Sequence, residues 1–123
     1  MNRSTLILGC SLASLLLGHG AWAQPSARMP VTEIKPLLIR AVEQGSAHGV
    51  LVGESAAYVR QKFDASAPIE IDVRALHALP QPGCSRLEVT TRQKDVLEKT
   101  NRGDKELVYQ VSYCRDGRFP DKR

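Results

Sequence analysis

Apolar residues in the first part of the chain recur with the spacing of an amphipathic helix. Five of them share one helical face, at positions i, i+3, i+4, i+7 and i+8: Ile34, Leu37, Leu38, Ala41 and Val42. Thr32 suits an N-cap and Gly45 suits a C-terminal stop. The pattern therefore predicts a helix over residues 33–44.

A second, shorter helix is predicted over residues 54–63, where Ala56, Val59 and Phe63 share a face. The apolar run from Gly49 to Gly53 lies between the two helices. Its length fits either a short strand or a buried connection, and periodicity does not choose between them.

Further along the chain, the sequence alternates with a period of two, as it does in strands with one buried face. Three segments show this pattern, beginning at Ile69, Leu87 and Leu107. Three such strands predict an antiparallel meander with one apolar and one solvated face. Because the helices need an apolar partner surface, we expect a two-layer α+β domain, with one or two N-terminal helices packed on a three-stranded antiparallel meander.

Residues 1–23 have the organisation of a secretory signal peptide. A positively charged start at Arg3 precedes an apolar run over residues 6–17, and Ala21-Trp22-Ala23 supplies small residues two apart. The apolar run is shorter than the roughly 20 residues that span a bilayer. The sequence thus predicts cleavage before Gln24 and a periplasmic protein without a membrane span after cleavage.

One alternative to cleavage before Gln24 is a lipoprotein site at Cys10. Leu8-Gly9-Cys10 resembles a lipoprotein cleavage site, but the apolar run continues beyond Cys10, which favours the later site. After cleavage we expect a flexible lead-in over residues 24–31 and a single small domain over residues 32–123.

Loss of Cys10 with the signal peptide leaves two cysteines, Cys84 and Cys114, which predicts one disulfide in an oxidising compartment. If they face each other across an antiparallel pair, opposed residue numbers sum to 198. The apolar face then holds three opposed pairs: Leu87 with Val111, Val89 with Tyr109, and Thr91 with Leu107. A slip of one residue would set apolar against polar positions, so the bridge and the pattern predict the same register.

The residues that could carry chemistry are few. His48 and His77 do not combine with Cys84 and Cys114 into a compact zinc spacing, and the chain has no nucleotide-binding glycine motif. No metal and no cofactor are expected. A small secreted hydrolase, or another enzyme using His48 or His77, is the alternative to a non-enzymatic protein.

A candidate partner surface lies beside the predicted disulfide. Arg115, Arg118 and Phe119 follow the strand that ends at Cys114. Arg86 and Glu88 lie on the polar face of the meander. Arginine is enriched at interface hot spots, and Phe119 adds an apolar anchor, so we expect a protein partner in the cell envelope. The chain holds 17 Lys and Arg against 13 Asp and Glu, a net charge of +4 that also suits an acidic partner.

Two stretches, Gly83–Val89 and Leu107–Gly117, resemble parts of small exported accessory proteins encoded among conjugative DNA-transfer (type IV secretion) genes. The resemblance covers about the last 40 residues and contains no catalytic signature. It implies a periplasmic accessory role and assigns no active-site residue. The sequence therefore predicts a non-enzymatic periplasmic binding or assembly module.

Overall fold

A computed structural model describes residues 27–122 of the chain. These residues form one five-stranded sheet in which the strand order follows the chain order. The elements are β1 (Met29–Val31), α1 (Lys35–Gln44), β2 (Ser46–Leu51), α2 (Glu54–Lys62), β3 (Glu70–Ala78), β4 (Cys84–Glu98) and β5 (Asn101–Cys114). The sheet is mixed, because β1 and β2 are parallel and the remaining neighbours are antiparallel.

The predicted three-stranded meander is therefore wrong as a description of the whole sheet. Its three strands exist as β3, β4 and β5, but β2 adds to β3 and β1 adds to β2. The fold remains a small α+β fold that is mostly sheet. The prediction stopped short because three residues of β1 and a glycine-containing β2 carry no readable alternation.

The start of the sheet also corrects the predicted flexible lead-in over residues 24–31. Within it, Met29–Val31 pair with Gly49–Leu51, and the Val31 carbonyl accepts a hydrogen bond from the Val52 backbone N–H at 2.8 Å. Val31 is also buried. The ordered domain therefore begins before residue 32.

The register predicted from the two cysteines is confirmed between Cys84 and Gln93 of β4. Cys84 lies opposite Cys114, and the two are joined by a disulfide. The other opposed pairs also match: Leu87 with Val111, Val89 with Tyr109, Thr91 with Leu107, Arg86 with Ser112 and Glu88 with Gln110. Beyond Gln93 a bulge shifts the register, and both strands continue to the pair formed by Glu98 and Asn101.

Helix α1 ends where the pattern predicted and begins two residues later. Gly45 closes it in the left-handed region, at φ 91°, and donates its N–H to the Ala41 carbonyl. The N-cap is Ile34 rather than Thr32, and no side chain caps the helix start. Leu37, Leu38 and Ala41 are buried against the sheet, where the fully buried Val73, Leu87 and Val89 form the centre of the core.

Helix α2 is held more lightly. Ala56 is its buried residue, and the backbone after it is tied to β4 by the Leu97 N–H, which donates to the Phe63 carbonyl at 2.9 Å. None of the helices within residues 27–122 is long and apolar enough to span a membrane. The predicted signal peptide, the cleavage site before Gln24 and Cys10 lie outside the described residues.

Candidate binding surface

Among the described residues, the α1 side of the sheet carries an apolar groove that α1 and α2 leave open. Residues from the start of α1, from α2 and from β3, β4 and β5 enclose about 540 Å³. We call it the apolar groove and define it by its apolar and aromatic lining: Ile34, Leu51, Val59, Phe63, Ile69, Ile71, Val96, Leu107 and Tyr109. Most of these side chains are buried or half-buried, so the groove is a concave extension of the core.

The outer wall of the groove is formed by β5. Leu107 and Tyr109 lie on the same sheet face as the fully buried Val89, because they are opposed to Thr91 and Val89 across the β4–β5 pair. Yet Leu107 is 60% exposed and Tyr109 is 40% exposed. Partial burial of Tyr109 raises the pKa of its phenol. Leu107 and Tyr109 thus leave apolar side-chain surface of the groove wall open to solvent in the described chain.

The opposite face of the sheet, which we call the outer face, centres on Asp72. Its carboxylate accepts hydrogen bonds from Arg28 at 2.8 Å and from Arg92 at 2.7 Å, and His48 Nδ1 lies 2.6 Å from Oδ1. Register places His48, Asp72 and Arg92 on neighbouring strands β2, β3 and β4. Because Arg28 directly precedes β1, the cluster ties four successive segments together.

The electrostatics of this cluster favour an ionised Asp72. Partial burial opposes ionisation, but the hydrogen bonds from Arg28 and His48 and their positive charges outweigh it, so the pKa of Asp72 lies below its ordinary value. The pKa of Arg28 is raised, chiefly by its hydrogen bond to Asp72. The cluster serves as a cross-strand link.

The two histidines proposed for an enzyme are not brought together. His48 is bound to Asp72 on the outer face, and His77 lies near the end of β3, with Nδ1 3.3 Å from the Ala78 carbonyl oxygen. A carboxylate beside an imidazole can orient a catalytic base. Within the described chain, however, the hydrogen bonds of His48 include no serine or cysteine, and the apolar groove contains neither histidine.

The predicted partner-surface residues divide between two places. Arg86 and Glu88 lie on the outer face, where Arg86 Nη1 donates to Ser112 Oγ at 3.0 Å and Glu88 accepts from Arg74 Nε at 2.9 Å. Both are therefore engaged with neighbouring strands.

The other three predicted residues lie on a turn that folds back beside the disulfide. The Cys114 N–H donates to the Arg118 carbonyl at 2.9 Å, and the Arg115 N–H donates to the Gly83 carbonyl at 2.9 Å. The Phe119 ring meets Tyr113 edge-on, with 5.3 Å between ring centroids, yet it is 68% exposed. The turn is anchored, and it presents Arg115, Arg118 and Phe119 to solvent.

Residues 27–122 hold no group of three or more acidic, histidine or cysteine side chains arranged to bind a metal ion. Comparison with protein-family models, with curated proteins and with solved structures finds no match to this chain. The site itself therefore has to carry any functional assignment.

Sequence reasoning did not find the apolar groove. One signal was present: Leu107, Val108 and Tyr109 are consecutive apolar residues, whereas a strand with one solvated face should have a polar residue at position 108. Val108 lies on the outer face and is 49% exposed. The run marks the strand with the most exposed apolar surface in the described chain.

Proposed function

We propose that this chain is a non-enzymatic binding and assembly module of the bacterial periplasm, serving as an accessory of an envelope machine such as a conjugative DNA-transfer system. The observation that carries the proposal is the apolar groove with its exposed wall of Leu107 and Tyr109. Its occupant is an apolar segment of a protein of that machine.

The shape and the chemistry of the groove suit a chain segment better than a small polar substrate. The floor is formed by β-strand side chains such as Ile71, and Val59 of α2 together with Phe63, the residue after α2, forms the second wall. Apolar side chains of a bound segment and the groove residues that they contact are both removed from water. This burial is how peptide-binding grooves gain affinity. The charged side chain of Lys105, which lies on the groove face opposite Gln93, borders the groove and can orient the bound segment.

Three further features support the envelope location. The Cys84–Cys114 disulfide suits an oxidising compartment. The signal-peptide pattern of residues 1–23 predicts export, and the stretches Gly83–Val89 and Leu107–Gly117 resemble conjugative accessory proteins. The second of these stretches includes the exposed wall of the groove.

Site-specific photo-crosslinking in the native host tests the proposal. A benzophenone amino acid at position 59 reports on the apolar groove, and the same amino acid at the neighbouring position 58 is the matched control, because Tyr58 is exposed outside the groove. We expect position 59 to capture a protein encoded with the transfer apparatus and position 58 not to. With the benzophenone at position 63, another residue of the groove, Val59→Lys should abolish capture of that protein, while Tyr58→Lys should leave it intact.

An enzyme remains the alternative class, and the His48–Asp72 pair is the observation in its favour. Hydrolysis of a chromogenic ester or peptide that disappears in His48→Ala, together with equal capture from positions 58 and 59, would replace the proposed function with a hydrolase.

A further inference from the structure

We infer that the protein forms a symmetric dimer in which β5 pairs antiparallel with β5 of a second copy, joining two sheets into one. Self-association goes beyond the proposed binding role, because it uses the backbone edge of β5 rather than the apolar groove. Four observations lead to it: the free edge, the covered end of that edge, one self-complementary register, and a charge match on the outer face.

The free edge of β5 can be read from the hydrogen bonds around the disulfide. The Cys84 carbonyl accepts from Leu79 on the β3 side, and the Arg115 N–H donates to Gly83 on the β4 side. Backbone groups alternate along an antiparallel strand, so the odd-numbered residues of β5 bond to β4. The N–H and C=O groups of Glu106, Val108, Gln110 and Ser112 therefore point away from the sheet, where β5 has no neighbouring strand within residues 27–122.

One end of this edge is already covered. The Cys114 N–H donates to Arg118, and the Cys114 carbonyl accepts from Gly117 at 3.0 Å. The turn after β5 thus covers the edge at Cys114. The segment left open for pairing is residues 106–112, which contains no proline, and whose exposed side chains include Leu107, Val108 and Tyr109.

The side-chain pattern of this segment can match itself across a two-fold axis. A two-fold axis through Tyr109, perpendicular to the sheet, sets Leu107 opposite Val111 of the second copy and Tyr109 opposite its own mate. All three groove-face residues then meet apolar partners. Centring the axis on Val108 would instead set Lys105 opposite Val111. The apolar groove is enlarged in the first register, because Tyr109 of the second copy continues its outer wall.

Charge on the outer face favours the same register. Glu106 would lie opposite Ser112 of the second copy, and the Ser112 hydroxyl accepts a hydrogen bond from Arg86. Within its own chain the Glu106 carboxylate is 3.7 Å from Arg92 Nε, a loose ion pair. The Glu106 carboxylate of one copy would therefore lie near the Arg86 guanidinium of the other. The two-fold axis repeats this contact at the other end of the paired segment.

Cysteine crosslinking tests both the dimer and its register. In Tyr109→Cys the two new thiols face each other at a pair without backbone hydrogen bonds, where Cα atoms lie about 4.5 Å apart, within reach of a disulfide. In Leu107→Cys the thiols are four residues out of register, roughly 13 Å apart. We expect oxidised Tyr109→Cys to give a linked dimer of doubled mass and Leu107→Cys to stay unlinked. Linkage by Leu107→Cys alone would overturn the proposed register and with it the inference.

Sedimentation equilibrium provides an independent readout. Wild type should dimerise, Tyr109→Lys should weaken dimerisation by about tenfold or more because it places two lysines at the axis, and Tyr58→Lys should match wild type. Thermal melting of each variant shows that it is folded. A strictly monomeric wild type would overturn the dimer. Because Val59 lies away from the β5 edge, capture from position 59 would still be seen in that case, and the two proposals can fail separately.

Discussion

Leu37 on α1 packs so tightly against Gly49 on β2 that a Cβ atom at position 49 would lie 2.6 Å from Leu37 Cδ1. It would also lie 3.1 Å from the Met29 carbonyl oxygen. The missing side chain lets the helix rest on the sheet while β1 pairs beside it. Gly49 therefore serves helix–sheet packing.

Gly49→Ala should lower the free energy of unfolding by about 1–3 kcal/mol, since the added methyl forces Leu37 out of its position in a well-packed core. Urea denaturation followed by circular dichroism measures the loss. Gly103→Ala is the matched control, because a Cβ atom there meets nothing within 4 Å. Equal stability of the two variants would contradict the tight contact.

Replacing both bridged cysteines, with Cys84→Ser and Cys114→Ser together, should cost roughly 3–4 kcal/mol of unfolding free energy in the chain-entropy account. The cysteines are 30 residues apart in sequence, so the bridge closes a long loop in the unfolded chain. Urea titration of the double variant and of reduced wild type should give matching curves. Two reactive thiols in denatured, unreduced wild type would show that the bridge does not form.

Asp72→Asn should lower stability at neutral pH by about 1–3 kcal/mol, because charge-assisted hydrogen bonds from Arg28 and Arg92 weaken. Since the pKa of Asp72 in the folded protein lies below its ordinary value of 3.8, the unfolded chain takes up this proton first as the pH falls. The contribution is therefore present above about pH 4 and is lost as the pH falls through the folded-state pKa.

Denaturant titrations between neutral and acidic pH measure this difference. Wild type should lose more stability on acidification than Asp72→Asn, and the two curves should converge at low pH. Glu33→Gln, which alters an exposed carboxylate before α1, is the control. Parallel curves for wild type and Asp72→Asn would show that the cluster does not act through the charge of Asp72.

Arg118→Ala combined with Phe119→Ala should leave the thermal midpoint almost unchanged. Phe119 is largely exposed, so its edge-on contact with Tyr113 adds little to the stability of the fold. If the turn contacts the envelope partner, recovery of that partner in a pull-down should fall at unchanged stability. Unfolding several degrees earlier would assign Phe119 to the core, and unchanged recovery would remove the turn from the binding surface.

The register of β4 and β5 could be predicted because two independent constraints coincide. Alternation around Leu87 and Val111 fixes which face is buried, and the two cysteines fix which residues are opposite. The inward-facing side of α2 could also be predicted from the sequence, since Ala56 is buried and Val59 and Phe63 line the apolar groove.

What could not be predicted depends on contacts between distant parts of the chain. β1 has three residues, one of them Pro30. It pairs as a strand because the chain crosses over through α1, so that β2 runs parallel beside β1. The Asp72 cluster depends on the β2–β3 register and on the position of Arg28. Neither can be recognised from a periodic pattern of apolar residues in the sequence. The groove requires knowing how much of β5 the two helices leave uncovered.

The two borders of the sheet are unequal: β1 has 3 residues and β5 has 14. A molecule with one long border and one short border can grow from a single side. Once two copies meet through their long borders, the joined sheet presents only short borders to solvent, and the turn at Cys114 already covers part of each long one. Such a geometry stops at two, which separates ordered assembly from the open-ended stacking that gives fibres.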